Sequence, residues 1–242
     1  MMISPEVYYE EHLKGKSVEQ ILTVIRGLKQ EIGLLKNTIE SPDYGKVYNI
    51  HPSEQTRLHC TRKYLERAKK AYAEAGGIYT LSKSEEKAAD FEVNICAISK
   101  ITFSIGSFSR GHRSYVVELS DGMKAYTKLW EDEESLTLLD CGIGERSTKE
   151  TFITSLKDLH IGEWRRRYST KRFGYVVCDG TQWELEFEYN NGHKPVRFSG
   201  DNSYPYNFDK FKLLFSMDNM EGEEDSIGEW VVDIENEKHN NS

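Results

Sequence analysis

The stretch Trp183-Glu184-Leu185-Glu186-Phe187-Glu188-Tyr189-Asn190-Asn191-Gly192-His193-Lys194-Pro195-Val196-Arg197-Phe198 decides the fold. Trp183, Leu185, Phe187 and Tyr189 alternate with three glutamates, so in a strand four apolar side chains face one way and three carboxylates the other. With residues 178–182 before it and Gly200-Asp201-Asn202-Ser203-Tyr204-Pro205 after it, the stretch reads as a two-faced β-hairpin with a Gly- and Pro-marked exit. Glu184, Glu186 and Glu188 are close enough along a strand to suggest a metal or acid/base cluster. Alternation opposite a hydrophobic face is, however, the ordinary look of an antiparallel strand solvated on one side, and no His or Asp joins them at ligand spacing.

The same period of two extends to either side. Ile101, Phe103 and Ile105 read as a strand, and residues 115–119 and 123–129 flank Ser120-Asp121-Gly122 as a hairpin. The acidic residues 131–134 interrupt the pattern, and residues 136–141 read as a further strand. Residues 151–160 form a helix through Phe152, Leu156 and Leu159. Strands are expected at 164–168, 175–178, 183–189 and 194–198, and a closing helix at 207–215 turns Phe208, Phe211, Leu214 and Phe215 inward. Both halves place an Asp-Gly turn in a hairpin and a helix after it. The class is α+β, a mostly antiparallel sheet backed by two packing helices.

The first third has another period. Ser17 and Gln20 form a capping box that opens a helix, with Val18, Ile21, Ile25, Leu28, Ile32, Leu35 and Ile39 spaced alternately by three and four. Gly27 and Gly33 lie off this seam, and Ser41-Pro42-Asp43-Tyr44-Gly45 ends it. Ser53 caps a second helix whose seam is Leu58, Thr61, Leu65, Ala68, Tyr72 and Ala75, closed by Gly76-Gly77. Two such helices fold back as an antiparallel hairpin, and the seam serves either that hairpin or a homodimer. Residues 82–90, charged and alanine-rich, are a linker or a short helix. The expected organisation is a helical hairpin over 1–81, a sheet domain over 82–216 and an acidic tail over 217–242.

Of 40 acids and 32 Lys and Arg in 242 residues, nine acids and a single base fall between 217 and 242. The remaining 216 residues balance at 31 of each sign, so the net charge of −8 resides in the tail. No run approaches the roughly 18 apolar residues of a membrane span, and the opening Met1-Met2-Ile3-Ser4-Pro5-Glu6 lacks a secretory leader, which gives the expectation of a cytoplasmic protein without membrane association. Cys60, Cys96, Cys141 and Cys178 contain no C-x-x-C pair, and reduced thiols are expected.

Arg165, Arg166 and Arg167, set between Trp164 and Tyr168 and followed by Lys171 and Arg172, combine charges that hold phosphates with rings that stack bases. As a strand this segment puts Trp164, Arg166 and Tyr168 on one face and Arg165 and Arg167 on the other, which divides the charge. An alternative use of the cluster, joined by Arg110 and Arg113, is to dock the acidic tail or an acidic part of a partner. The loop 200–205 can present Asp201, Asn202 and Tyr204 to a ligand, or serve as a strand-to-helix turn that positions Tyr204 and Phe208 in the core. In the tail, Ile227-Gly228-Glu229-Trp230-Val231-Val232-Asp233-Ile234 sets an apolar knot with Trp230 inside an acidic run, the composition of a segment that folds on binding or adds a last strand to a sheet edge. The seven histidines are scattered, no G-x-S-x-G elbow surrounds Ser104, Ser107 or Ser109, and Gly142-Ile143-Gly144 is a lone G-x-G. No catalytic residue, metal ligand or cofactor is assigned.

The helical run from Val18 to Gly76-Gly77, Ile98-Ser99-Lys100-Ile101, Leu159-His160-Ile161-Gly162-Glu163-Trp164, Asp179-Gly180-Thr181-Gln182-Trp183 and Gly200-Asp201-Asn202-Ser203-Tyr204-Pro205 together resemble uncharacterised proteins of gut clostridia and their mobile elements. The resemblance covers most of the chain apart from the acidic end. It implies a bacterial, intracellular origin and no catalytic residues. The expected function is a non-enzymatic module that binds a protein partner through the helical hairpin or the acidic tail. The alternatives are a nucleic-acid-associated factor acting through the arginine cluster, and a mobile-element inhibitor whose tail mimics nucleic acid.

Overall fold

A computed structural model describes residues 2–46, 51–107, 111–120, 122–129, 132–138, 146–178 and 180–217, and the backbone of 231–233. The chain divides into two compact units, Met1–Ser82 and Lys83–Ser242. Among the described residues no helix is long and apolar enough to cross a membrane.

In the first unit α1 (Pro5–His12), α2 (Val18–Ile39) and α3 (Glu54–Glu74) pack around one core. The capping box is present: the Ser17 hydroxyl accepts from the Gln20 amide and the Gln20 side chain accepts from the Ser17 amide. Of the α2 seam, Ile21, Ile25, Leu28, Leu35 and Ile39 are buried, with Val18 and Ile32 half-buried. The α3 face differs from the expected seam. Tyr64 and Ala71 are buried, Leu65 is half-buried and Ala75 is the exposed C-cap. The reason is α1, a helix without an apolar stripe, which lies on α3. Tyr8 stacks on Tyr64 at 4.3 Å, and the Tyr64 hydroxyl accepts from the Ile3 amide and donates to the Ile3 carbonyl.

The second unit opens with α4 (Lys83–Asn94), so of the two readings of 82–90, a linker or a short helix, the helix holds, and it runs on to Asn94; Phe91 is its one buried residue. A seven-stranded sheet follows: β1 (Ile98–Ser107), β2 (Gly111–Glu118), β3 (Lys124–Leu129), β4 (Asp132–Ser135), β5 (Arg167–Ser169), β7 (Thr181–Tyr189) and β8 (Val196–Asp201), in the order β4-β3-β2-β1-β7-β8-β5. Every pairing is antiparallel except β5 with β8. The α+β class and the mostly antiparallel sheet are as the sequence indicates. Three details change. The acidic run at 132–135 is an edge strand, with its charges exposed where edge pairing with another chain would otherwise be invited. Leu136 to Leu138 are not a strand, and residues 139–141 lie outside the described residues. Finally, β6 (Tyr175–Val177) does not join the sheet; among the described residues it pairs antiparallel with β9 (Val231–Asp233) and not with β7, and Asp179 of the expected Asp-Gly turn lies outside the described residues.

The registers Ile101↔Phe187, Phe103↔Leu185 and Ile105↔Trp183 align the alternating side chains of β1 and β7 on one face. Helices α5 (Lys149–Asp158) and α6 (Phe208–Leu213) pack there with α4. Phe103 meets Phe208, Phe211 and Phe215 within 5.9 Å, Phe91 meets Phe187 edge-on at 5.1 Å, and Phe152 meets Phe215. Gly200 lies opposite Trp183 in β8, and a methyl here would fall on the Trp183 indole and the Ser203 carbonyl. Only glycine lets that indole lie across the strand and donate to Ser203 at 3.0 Å.

Candidate functional site

The arginine cluster is shaped by the residues that flank it. Trp164 ends a 3-10 turn (Ile161–Glu163), is 5% exposed and donates through its indole to Asn207 at 2.9 Å. Tyr168 is 1% exposed, and its hydroxyl accepts from the Arg165 amide at 3.0 Å. These two aromatics plug into the core four residues apart in a closed turn, and β5 begins only at Arg167. The expected strand over 164–168 is therefore confined to its last two residues, where β5 starts, and the charge is not divided between two faces: Arg165, Arg166 and Arg167 are all exposed.

Two guanidiniums at this turn, those of Arg166 and Arg172, lie over aromatic planes. Arg166 lies over Phe198 at 4.7 Å and donates to the Arg197 carbonyl at 3.5 Å, and burial draws its pKa below the ordinary arginine value. Arg172 lies over Phe173 at 4.4 Å and Tyr168 at 5.4 Å. Ser169 accepts from the Lys171 amide, and Gly174, at a φ of 89° that only glycine adopts freely, donates to the Lys171 carbonyl and reverses the chain into β6. Lys171 and Arg172 are exposed on this turn, which packs against β6. The run from 165 to 178, a corner of the second unit, carries five cations and no acid, and the acids that approach it come from other elements: Asp201 lies opposite Ser169 in β8, and Asp90 of α4 acts on Arg166. The register of the outer ribbon sets Asp233 of the tail opposite Tyr175, the first residue after that turn. Arg113 does not join the corner: it sits on β2, separated from β5 by three strands, and Arg110 lies outside the described residues.

The other candidates resolve differently. Asn202, at φ 47°, accepts through its side chain from the Thr181 amide at 2.7 Å and donates to Asp201, which ends β8 opposite Gln182. Tyr204 stacks on Phe208 at 4.8 Å. The loop side chains thus close the hairpin and feed the core, as the turn reading had it. Glu186 pairs with Arg197 at 2.7 Å and Glu188 with Lys100 at 3.6 Å on the uncovered sheet face, where a groove of about 230 Å³ lies among Lys100, Lys124, Glu118 and Glu188. Among the described residues no group of His, Cys, Asp and Glu could hold a metal ion. Trp230 lies outside the described residues.

One cluster escaped sequence reading. His193 in the β7–β8 turn faces Asp90 of α4 with Nε2 at 2.9 Å and the Lys194 carbonyl with Nδ1 at 2.8 Å, while Asn191 donates to Asn94 at 2.8 Å. Both imidazole nitrogens are engaged, leaving neither for proton transfer to a substrate, so the Asp90–His193 pair is a latch between helix and hairpin. Tyr189 packs on His193 at 4.5 Å, and its hydroxyl is buried with no hydrogen-bond partner among the described residues. Burial pushes the Tyr189 pKa up to about 12, with Arg166 opposing and Asp90 adding to the shift.

Comparison of the chain with protein-family models, with curated proteins and with solved structures finds no match in any of the three.

Proposed function

We propose that the protein is a non-enzymatic interaction module of the cytoplasm that binds a protein partner through its acidic C-terminal end and the basic corner beside it. The observation that carries this reading is the pairing of Val231–Asp233 with Tyr175–Val177 outside the main sheet, next to Lys171 and Arg172. The helical hairpin is the weaker of the two expected surfaces, because the α2 seam is covered within the chain by α3 and α1. Three described cysteines, Cys60, Cys96 and Cys178, carry free thiols, which suits a reducing compartment.

A second reading has its own observation. With all five cations of the corner exposed and no acid between them, a nucleic-acid backbone is a chemically reasonable ligand. Affinity capture from host lysate separates the two, using the full chain with and without nuclease. A protein recovered in both arms and lost from the Lys171→Glu/Arg172→Glu variant is the expected outcome. Recovery abolished by nuclease would replace the first reading by the second.

A further inference from the structure

We infer that β6 and the Lys171–Arg172 turn form an acceptor site for an extended, acidic segment of a partner protein, and that the chain's own Val231–Asp233 occupies this site until displaced. The inference rests on the reading above and specifies its partner. β6 has three residues and no place in the seven-stranded sheet, and among the described residues its ladder is completed by Val231–Asp233 alone. A ribbon of two short strands is marginally stable by itself, which makes it an element suited to exchange. The tail that fills it consists of β-branched residues bounded by acids: Val231 and Val232 lie between Glu229 and Asp233.

The chemistry of the site selects its occupant. A strand added to β6 must offer backbone N–H and C=O groups at peptide spacing, which a nucleic acid does not have. Its flanks must carry negative charge to meet the exposed Lys171 and Arg172, which stand in a segment, 165–178, of five cations and no acid. A partner segment of two to four β-branched or aromatic residues flanked by Asp and Glu meets both conditions, and so does the tail. The tail has the advantage of belonging to the same chain, so its encounter with β6 is intramolecular. A partner therefore has to bind more tightly than the tail, or act where the tail is held away.

The test uses the full chain and a fluorescein-labelled peptide of residues 217–242, followed by fluorescence anisotropy. Val232→Pro removes a backbone donor from β9, opposite Val176. The variant is expected to bind the peptide at least tenfold more tightly than the wild type, with an unchanged melting temperature. Adding Lys171→Glu and Arg172→Glu is expected to reverse that gain by at least tenfold. Equal peptide affinity of wild type and Val232→Pro overturns the inference, as does a gain that the two charge reversals leave intact. Displacement of the peptide by a single-stranded oligonucleotide of equal charge, at equal concentration, overturns it in favour of a phosphate-binding corner. Peptide exchange governed by Lys171 and Arg172 in a chain that captures no protein from lysate upholds the acceptor and overturns the reading above. A captured protein indifferent to Val232→Pro and to both charge reversals does the opposite.

Discussion

Tyr189 is the residue whose surroundings depart furthest from those of a free side chain. Its hydroxyl is buried without a hydrogen-bond partner among the described residues, and its pKa is pushed from 10.0 to about 12, chiefly by burial. The sign follows from linkage: the folded state keeps the phenolic proton longer than the unfolded chain, so the contribution of Tyr189 to stability is complete below pH 10 and is lost between pH 10 and about 12. Phenolate absorbance during an alkaline titration should show a late-ionising tyrosine that Tyr189→Phe removes. The same substitution deletes an unsatisfied polar group, so melting should be unchanged or raised, by up to about 1 kcal/mol at neutral pH. Gly200→Ala should do the reverse. A methyl against the Trp183 indole and the Ser203 carbonyl forces the strand or the ring aside, costing about 1–3 kcal/mol by chemical denaturation. The alternation around Trp183 was legible because strand geometry is a local property of the chain. The Asp90–His193 latch was not, because its partners stand 103 residues apart and only the folded sheet and α4 bring them together.

At the scale of elements, α2 shows what periodicity conveys and what it omits. The three-four spacing identifies a buried stripe, and Ile25, 0% exposed, lies at its centre. Ile25→Ala should destabilise the first unit by about 2–5 kcal/mol. Leu34→Ala, at a residue 60% exposed on the same helix, should fall within about 0.5 kcal/mol of the parent by the same denaturation measurement. The spacing could not reveal α1, whose helical residues are mainly tyrosines and acids and none of them buried. It is held by Tyr stacking and by the Tyr64 hydroxyl on the Ile3 backbone, so its covering of α3 is written in tertiary contact. The full extent of α4 was obscured for a related reason: Lys83-Ser84-Glu85-Glu86-Lys87 reads as solvated chain, and Phe91 is the one helix residue buried against the sheet. The arginine turn misled in the opposite direction. Alternating Trp, Arg and Tyr implied a strand, but Tyr168 bonds back to the Arg165 amide and pulls the segment into a turn that exposes every arginine.

At the scale of the whole molecule the governing fact is an uneven distribution of charge. The first 216 residues balance acids against Lys and Arg, and the last 26 carry the net charge of −8. Mean acidity would imply self-repulsion, whereas this distribution implies attraction between the tail and any local excess of cations. The corner at residues 165–172 supplies that excess, and the pairing of β9 with β6 brings the tail backbone beside it. Such an attraction between exposed groups is screened as the Debye length falls from about 10 Å at 0.1 M salt to about 3 Å at 1 M. Burial of aromatic side chains in the sheet core is not weakened by sodium chloride in the same way. Hydrogen exchange at Tyr175–Val177 should therefore accelerate between these two salt concentrations while exchange along β1 and β7 stays slow. Lys171→Glu/Arg172→Glu should produce the fast pattern already at low salt. If exchange at Tyr175–Val177 is insensitive to both changes, the ribbon is held by its backbone ladder and apolar residues alone, and the charge of the tail has to act elsewhere.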